Sequence, residues 1–403
     1  MVFPFNDITD FNISLRPEHE LFRKSVRKFA EDILEPLVPE IERSGEIPEI
    51  VFDKAREAGL FGVGVPEEYG GQGEDIISYV ILKEELARVC PAFSALIGAN
   101  HLFMIPVLLF GNEEQKRKYI PPVARGEKFA AHANTEPCCG SDIAGIQTTA
   151  TLEGNKYIIN GRKIFITNAG KADYFFVTAR TSPPKEGKRW WGITAFIVEK
   201  SFPGVKIGSK FDVIGLNGEH PYEVILDNAE VPIENVLNTP YKNVRDPVNE
   251  GFKIALITYD RSRIGIAAQG VGIAEAVLEK ALKYSLERHT FGQPIISYQG
   301  ISFKIADMLI NLQAARLLTY WAATLAIQDR EEYILAASLA KTLATEVAEK
   351  SALYAIKIHG GLGVDKEVGI ERYLRDAVIT TIYEGTNDIQ RLTIIRQLLK
   401  RLK

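Results

Sequence analysis

Four stretches of the 403-residue chain gather residue types that could do chemistry: TEPCCGSD (135–142), KIFITNAG (163–170), ERHTFGQPIISYQG (287–300) and IYEGTNDIQR (382–391). In the last, Glu384 follows Ile382 and Tyr383 and precedes Gly385. A carboxylate hemmed in by apolar side chains has a raised pKa, which suits a general base. A glycine beside it lets the backbone approach a ligand closely. The same spacing also describes a loop glutamate in water. Thr386 is a candidate N-cap for the helical pattern behind it. In the first stretch Cys138 and Cys139 are adjacent. A disulfide between neighbours would be strained, and a metal needs more ligands than the segment offers. The pair reads as small, inert loop residues, with a redox-sensitive modification as the alternative.

Other chemistries lack their signatures. No GxGxxG follows a strand, HGGLG (359–363) follows a helix, and no GxxxxGK[ST], GxSxG or HExxH is present. No metal site is expected. Three cysteines without CxxC spacing favour a reducing compartment. A net charge of −4 gives no general attraction to nucleic acid. The start, MVFPFNDITDFNI, has neither a basic segment nor an apolar h-region, so no secretory signal and a cytoplasmic location are expected. The apolar stretch 95–111 contains Asn100, His101 and Pro106 and reads as a buried helix, with no membrane span expected.

These stretches need elements to hold them. Residues 17–43 follow a helical period (Leu21, Val26, Phe29, Ile33, Leu37), as do 76–90; 53–63 reads as a short helix capped by Gly59, and 111–126 as a turn, a short charged helix and a Pro-Pro stop. From about 129 to 240 the period becomes two, in short β-branched and aromatic runs, with Asn160-Gly161 as a two-residue hairpin signal. Several such strands suggest a sandwich or barrel. After 245 the helical period returns over 251–288, 300–328, 332–358 and 386–401, which implies a bundle. The expected domains are 1–130 (α-helical), 131–245 (β) and 246–403 (α-helical bundle).

TEP-x-x-GSD, an [FW]ITN strand end, ER-x-TFG-x-PI-x-x-x-Q and IYEGT-x-x-IQR, in this order, resemble the acyl-CoA dehydrogenase family along nearly the whole chain. The resemblance implies an α+β multidomain fold: an N-terminal α-helical domain, a central β-sandwich or barrel and a C-terminal four-helix bundle. It implies FAD as cofactor and oxidation of an acyl-CoA thioester to trans-2-enoyl-CoA, with the β-hydride going to flavin N5. It further implies electron transfer to an electron-transfer flavoprotein and a homotetramer built as a dimer of dimers. Glu384 then corresponds to the base, its own N–H and a ribityl hydroxyl polarising the thioester carbonyl. Some relatives carry the base one residue before an arginine on the first bundle helix; that position is Ser262 here, which has no basic group. Asp260, Arg263, Gly385 and Ser141 correspond to substrate-site residues. For Asp260 and Arg263 the spacing alone would suggest a surface salt bridge. Thr135, Ser141, Phe165 and Thr167 correspond to flavin contacts. Arg288, Phe291 and Gln299, with Lys357, Gly360 and Gly361, correspond to contacts with the FAD of a neighbouring subunit. Thr386 and Asp388 correspond to cofactor contacts at the last helix start.

The sequence departs from the usual pattern at Phe165 (often Trp), Lys357 (often Gln) and Cys138-Cys139 (often Gly-Ala). Rival readings are an acyl-CoA oxidase, a glutaryl-CoA-type oxidative decarboxylase and a non-dehydrogenase stress or nucleic-acid-binding relative. The decarboxylase needs a cation at the distal end of the acyl pocket, and the segment 93–107, expected to face it, holds no Arg or Lys. Tyr259, Phe103 and Met104 would partly fill a deep pocket, so a short- to medium-chain acyl group is expected.

Overall fold

The computed structural model describes residues 15–401 except Glu74. The segment 1–13, in which no secretory signal is expected, and the end of the basic run RQLLKRLK lie outside the described residues.

The first third is helical: α1 (Pro17–Phe29), α2 (Val38–Ser44), α3 (Glu49–Glu57), α4 (Ile76–Val89), α5 (Pro91–Phe110) and α6 (Glu113–Ala124). The helical pattern of 17–43 is not one straight helix. A π turn at Ala30–Leu34 and a 3-10 turn at Glu35–Leu37 divide it. Pro36 explains the break, because it has no N–H to donate and its ring crowds the preceding turn. α6 opens on a reciprocal cap between Asn112 and Gln115. α5 is long and apolar enough to cross a membrane, but 78% of its most apolar window is buried inside the protein. It is a core helix, hydrophobic all round because it is covered all round.

Seven strands follow: β1 (Ala130–Ala133), β2 (Thr149–Glu153), β3 (Lys156–Ile166), β4 (Tyr174–Arg180), β5 (Ile193–Glu199), β6 (Val205–Lys210) and β7 (Tyr222–Pro232). They form one sheet in the order β1-β4-β2-β3-β7-β6, with β5 paired to β4. The hairpin signal at Asn160-Gly161 is corrected by the structure. β3 runs straight through it, Asn160 pairing with Thr149, and the turn lies at Gly154-Asn155, between the paired Glu153 and Lys156. Gly161 instead sits at a register shift against β7. A Cβ there would come within 2.2 Å of Thr148 Oγ1, so glycine serves a bulge rather than a turn.

The last third holds α7 (Gly251–Glu287), α8 (Gln299–Ile327), α9 (Tyr333–His359), α10 (Arg372–Thr380) and α11 (Asn387–Arg401). A small hairpin, His289–Thr290 with Gln293–Pro294, joins α7 to α8. α7, α8 and α9 share the largest core cluster, rich in alanine, and α4 packs into it through Ile77, Val80 and Ile81. Charged groups are buried at the same seam. Arg316 of α8 bonds Glu84 of α4 at 2.9 Å and Glu275 of α7 at 2.5 Å. Arg27 of α1 reaches Glu85 at 2.7 Å and Glu275 at 2.9 Å. Burial would raise Glu275, but Arg316 and Arg27 outweigh it and hold the carboxyl well below its usual range. Such a network fixes how the N-terminal helices sit on the bundle, and so fixes α4 against α7.

Candidate active site

Glu384 lies in the turn between α10 and α11 with φ 53°, next to Gly385 at φ 93°. Two successive left-handed residues turn the chain sharply and aim the glutamate inward. A non-glycine residue held there stores strain, which marks functional turns. α11 begins as expected: Thr386 Oγ1 accepts from Ile389 N at 3.3 Å. Lys341 of α9 secures the turn, donating to Gly385 O at 3.0 Å and to Asn387 Oδ1 at 2.8 Å.

Among the described residues the Glu384 carboxyl receives one side-chain hydrogen bond, from Ser262 Oγ of α7 to Oε2 at 2.5 Å. Burial is the largest influence on it and raises its pKa. Ser262, Lys83, Arg263 and Lys341 pull the other way without overcoming it. The outcome is a carboxylate more basic than usual even beside Arg263, Lys83 and Lys341, as base catalysis requires.

Ser262 is therefore the base's hydrogen-bond donor, a role its lack of basicity hid. Asp260 and Arg263 are not a surface pair. Arg263 is 5% exposed, with Nη1 bonding Asp260 Oδ1 at 3.0 Å and Ser338 Oγ at 3.2 Å, and Nε donating to Tyr259 O at 3.0 Å. Burial raises the Asp260 carboxyl, and Arg263 offsets part of the rise.

The residues expected at the flavin fall into two groups. Thr135, Phe165 and Thr167 come together where the loop after β1 runs beside the end of β3, Ile164 N donating to Thr135 O at 2.9 Å. The loop is pinned by buried Glu136, whose carboxylate takes Lys163 Nζ at 2.7 Å and Gln147 N at 2.6 Å. Phe165 is 53% exposed, at φ 54°, and stacks on Phe211 at 4.3 Å. Ser141 is exposed farther along this loop. Cys138 and Cys139 have their Sγ atoms 2.8 Å apart. Burial and the Cys138 hydrogen bond push the Cys139 thiol up to about 12, so it stays protonated.

The second group lies at one end of the bundle. Arg288, Phe291 and Gln299 flank the α7–α8 hairpin, and Lys357, Gly360 and Gly361 lie at the end of α9. Stacking of Tyr284 on His359 at 4.3 Å ties these two ends together. No hydrogen bond or ring contact joins this group to Thr135 or Thr167 among the described residues. All six are exposed, and Asp388 is exposed at the start of α11.

These surfaces fit a flat, dinucleotide-sized group. Phe165 leaves an aromatic face uncovered, Phe291 is 93% exposed, and a Cβ on Gly360 or Gly361 would meet nothing within 4 Å. Uncovered aromatics and open glycine backbone are what a stacking ring and a close-lying phosphate chain need. The spacing of motifs missed several groups around Glu384: Lys341, Tyr79 and Lys83 of α4, and Glu219 in the β6–β7 loop. Only the three-dimensional packing of α4, α9 and the β6–β7 loop against α7 brings Lys341, Tyr79 and Lys83 to the base and Glu219 to Lys83.

Three family models match in chain order: the acyl-CoA dehydrogenase N-terminal domain over 16–127, the middle domain over 131–229 and the C-terminal domain over 249–399. The chain is 45% identical to an acyl-CoA dehydrogenase of Bacillus subtilis over 95% of this chain and 98% of that protein. It is 41% identical to the CarC subunit of the caffeyl-CoA reductase–Etf complex of Acetobacterium woodii, over 95% of this chain and 99% of that one. The structure of butyryl-CoA dehydrogenase from Megasphaera elsdenii superposes with a TM-score of 0.90 at 38% identity, over 96% of this chain and 100% of that one. With the same three-part fold and matches along nearly its full length, the chain belongs to the acyl-CoA dehydrogenase family and is an FAD-dependent acyl-CoA dehydrogenase.

Proposed function

We propose that Glu384 is the base that removes the α-proton of the acyl-CoA thioester, and that the observation carrying this role is its setting: a half-buried residue whose carboxyl is raised by desolvation, presented by a left-handed turn and fixed by Ser262. Ser262 occupies Oε2, which leaves Oε1 to take the proton. The Glu384 N–H polarises the thioester carbonyl, because donors aimed at a developing enolate oxygen act most strongly where water is excluded. Asp260, Arg263, Gly385 and Ser141 hold the substrate. Thr135, Phe165 and Thr167 hold the flavin ring, with Thr386 and Asp388 at its border. Arg288, Phe291, Gln299, Lys357, Gly360 and Gly361 hold the FAD of a neighbouring subunit. FAD, when bound, supplies the acceptor for the β-hydride.

The exposed bundle-end group supports a homotetramer whose cofactor sites are shared between subunits, as do the apolar side chains of Phe303, Ile310 and Ile395 left uncovered on one chain. The acceptor is an electron-transfer flavoprotein, in keeping with the Etf complex of the Acetobacterium relative. A short- to medium-chain acyl group is in keeping with the butyryl-CoA enzyme. The location is cytoplasmic, and the domain boundaries fall at 130/131 and 245/246.

The test is spectroscopic. The purified protein should carry the visible spectrum of bound flavin, and anaerobic acyl-CoA should bleach it. Re-oxidation should proceed with an electron-transfer flavoprotein and slowly with oxygen. A protein that releases no flavin on unfolding, or peroxide formed at the rate of turnover, contradicts this reading.

A further inference from the structure

The interior between α4, α5 and α7 holds polar groups that carry no proton in the transfer and whose hydrogen bonding is incomplete. Lys83 of α4 is fully buried, yet it makes no salt bridge among the described residues. Among the described residues its ammonium donates to Ser94 O of α5 alone, leaving two of three N–H groups without a partner there. A buried ammonium that feels Glu384 and Glu219 only through space, with no carboxylate hydrogen-bonded to it among the described residues, is costly and is rarely kept for packing. Two neighbours are similarly incomplete. His101 is 4% exposed with Nε2 unpartnered, and Glu219 is 5% exposed with Oε1 unpartnered, among the described residues.

Two glycines make the room. A Cβ on Gly98 would stand 2.8 Å from Lys83 Nζ and 3.7 Å from Tyr79 Oη. A Cβ on Gly265 would stand 3.0 Å from Tyr79 Oη. Gly265 is three residues, about 4.5 Å along the α7 axis, beyond Ser262, which holds the base. The His101 ring lies 4.3 Å from that of Tyr79. The ammonium, the phenol and the imidazole thus converge around Gly98 and Gly265, one helical turn along α7 from the serine that holds Glu384.

We propose that Lys83, with Tyr79 and His101, forms a polar subsite that takes an acyl chain carrying an oxygen acceptor beyond Cβ, and so makes Lys83 a specificity-determining residue. This rests on the acyl-CoA site described above. An acceptor oxygen there completes the hydrogen bonding of Lys83, whereas a plain alkyl chain leaves it unmade. Burial pulls Lys83 down to about 7, against the pull of Glu384 and Glu219, so an anionic oxygen, which holds the proton on Nζ, binds more strongly than a neutral one. His101 is held uncharged, pushed down to about 3 by burial and by Lys83, and adds no competing charge.

The experiment compares flavin bleaching and kcat/KM of the holoenzyme for three probes: a plain alkyl acyl-CoA, one with a hydroxyl at its far carbon and one with a terminal carboxylate. The wild type should favour the oxygenated probes by roughly tenfold or more, the worth of one charge-assisted hydrogen bond. Lys83→Met should erase or invert that ratio. Gly98→Ala, which displaces the ammonium without removing it, should erode the ratio in the same direction and serves if Lys83→Met does not fold. A wild-type preference for the alkyl probe, or a ratio unmoved by both variants, overturns the proposal. So does a Lys83→Met variant that shifts only the pH profile, since Lys83 would then act on Glu384 alone. Absence of bleaching by any acyl-CoA would refute the acyl-CoA site itself rather than this subsite.

Discussion

Replacing Ser262 with alanine isolates one interaction at the base. Ser262 Oγ has two acceptors within reach, Glu384 Oε2 at 2.5 Å and Tyr259 O at 3.4 Å. The shorter contact holds the hydroxyl proton, and it favours the charged carboxylate. A hydrogen bond to a charged group is worth about 1.5–3 kcal/mol, and each pKa unit corresponds to roughly 1.4 kcal/mol. The Glu384 pKa, already above the ordinary carboxylate range through burial, should therefore climb by roughly one to two units in Ser262→Ala. The sign follows directly: the base works only when ionised, so the acid limb of kcat/KM against pH moves to higher pH by that amount. Above the limb the two enzymes converge, because Ser262 transfers no proton itself. The assay is steady-state dye reduction across pH, with flavin content measured on the same samples. A limb that stays in place or moves to lower pH refutes the assignment of Ser262 as the donor that stabilises the ionised base.

Other changes should behave as follows. Arg316→Met leaves Glu275 with Arg27 and Glu84 with the Tyr320 hydroxyl, and since losing one partner of a buried pair costs up to about 3–5 kcal/mol, thermal or urea unfolding followed by circular dichroism should show a clear drop in the midpoint. Gly385→Ala places a Cβ 2.5 Å from Gln390 Nε2 at φ 93°, and should lower turnover together with about 1–3 kcal/mol of stability, read by bleaching rate and thermal melts. Replacing Cys138 and Cys139 with glycine and alanine should leave flavin content and turnover unchanged; a collapse of either means the thiols matter.

Much of the architecture can be read in the sequence because helix and strand periods differ and prolines and glycines bound them. The bundle helices end where the pattern ends, and Thr386 caps α11 as its position suggests. Local signals misled where tertiary pairing overrode them. Asn160-Gly161 has the composition of a turn, but Asn160 pairs across to Thr149 and Gly161 yields to Thr148. Lys83, Glu84 and Glu85 carry no mark in the sequence of being anything but ordinary charged residues, which are normally exposed. All three are buried, because α1, α5, α7 and α8 enclose α4 from several sides. A chain read one residue at a time carries no mark of that enclosure. Glu384 was visible as a candidate from its neighbours Tyr383 and Gly385; what could not be seen was the hydroxyl of Ser262, 122 residues away in sequence.

The central claim is that Glu384 takes the α-proton. The most direct measurement is the anaerobic single-turnover rate of flavin bleaching by an acyl-CoA in wild type and in Glu384→Gln, which keeps the shape and removes the base. A rate lower by about 10²–10⁴-fold, with FAD still bound at full occupancy and acyl-CoA affinity little changed, is the expected result. Bleaching of Glu384→Gln at the wild-type rate would contradict the account.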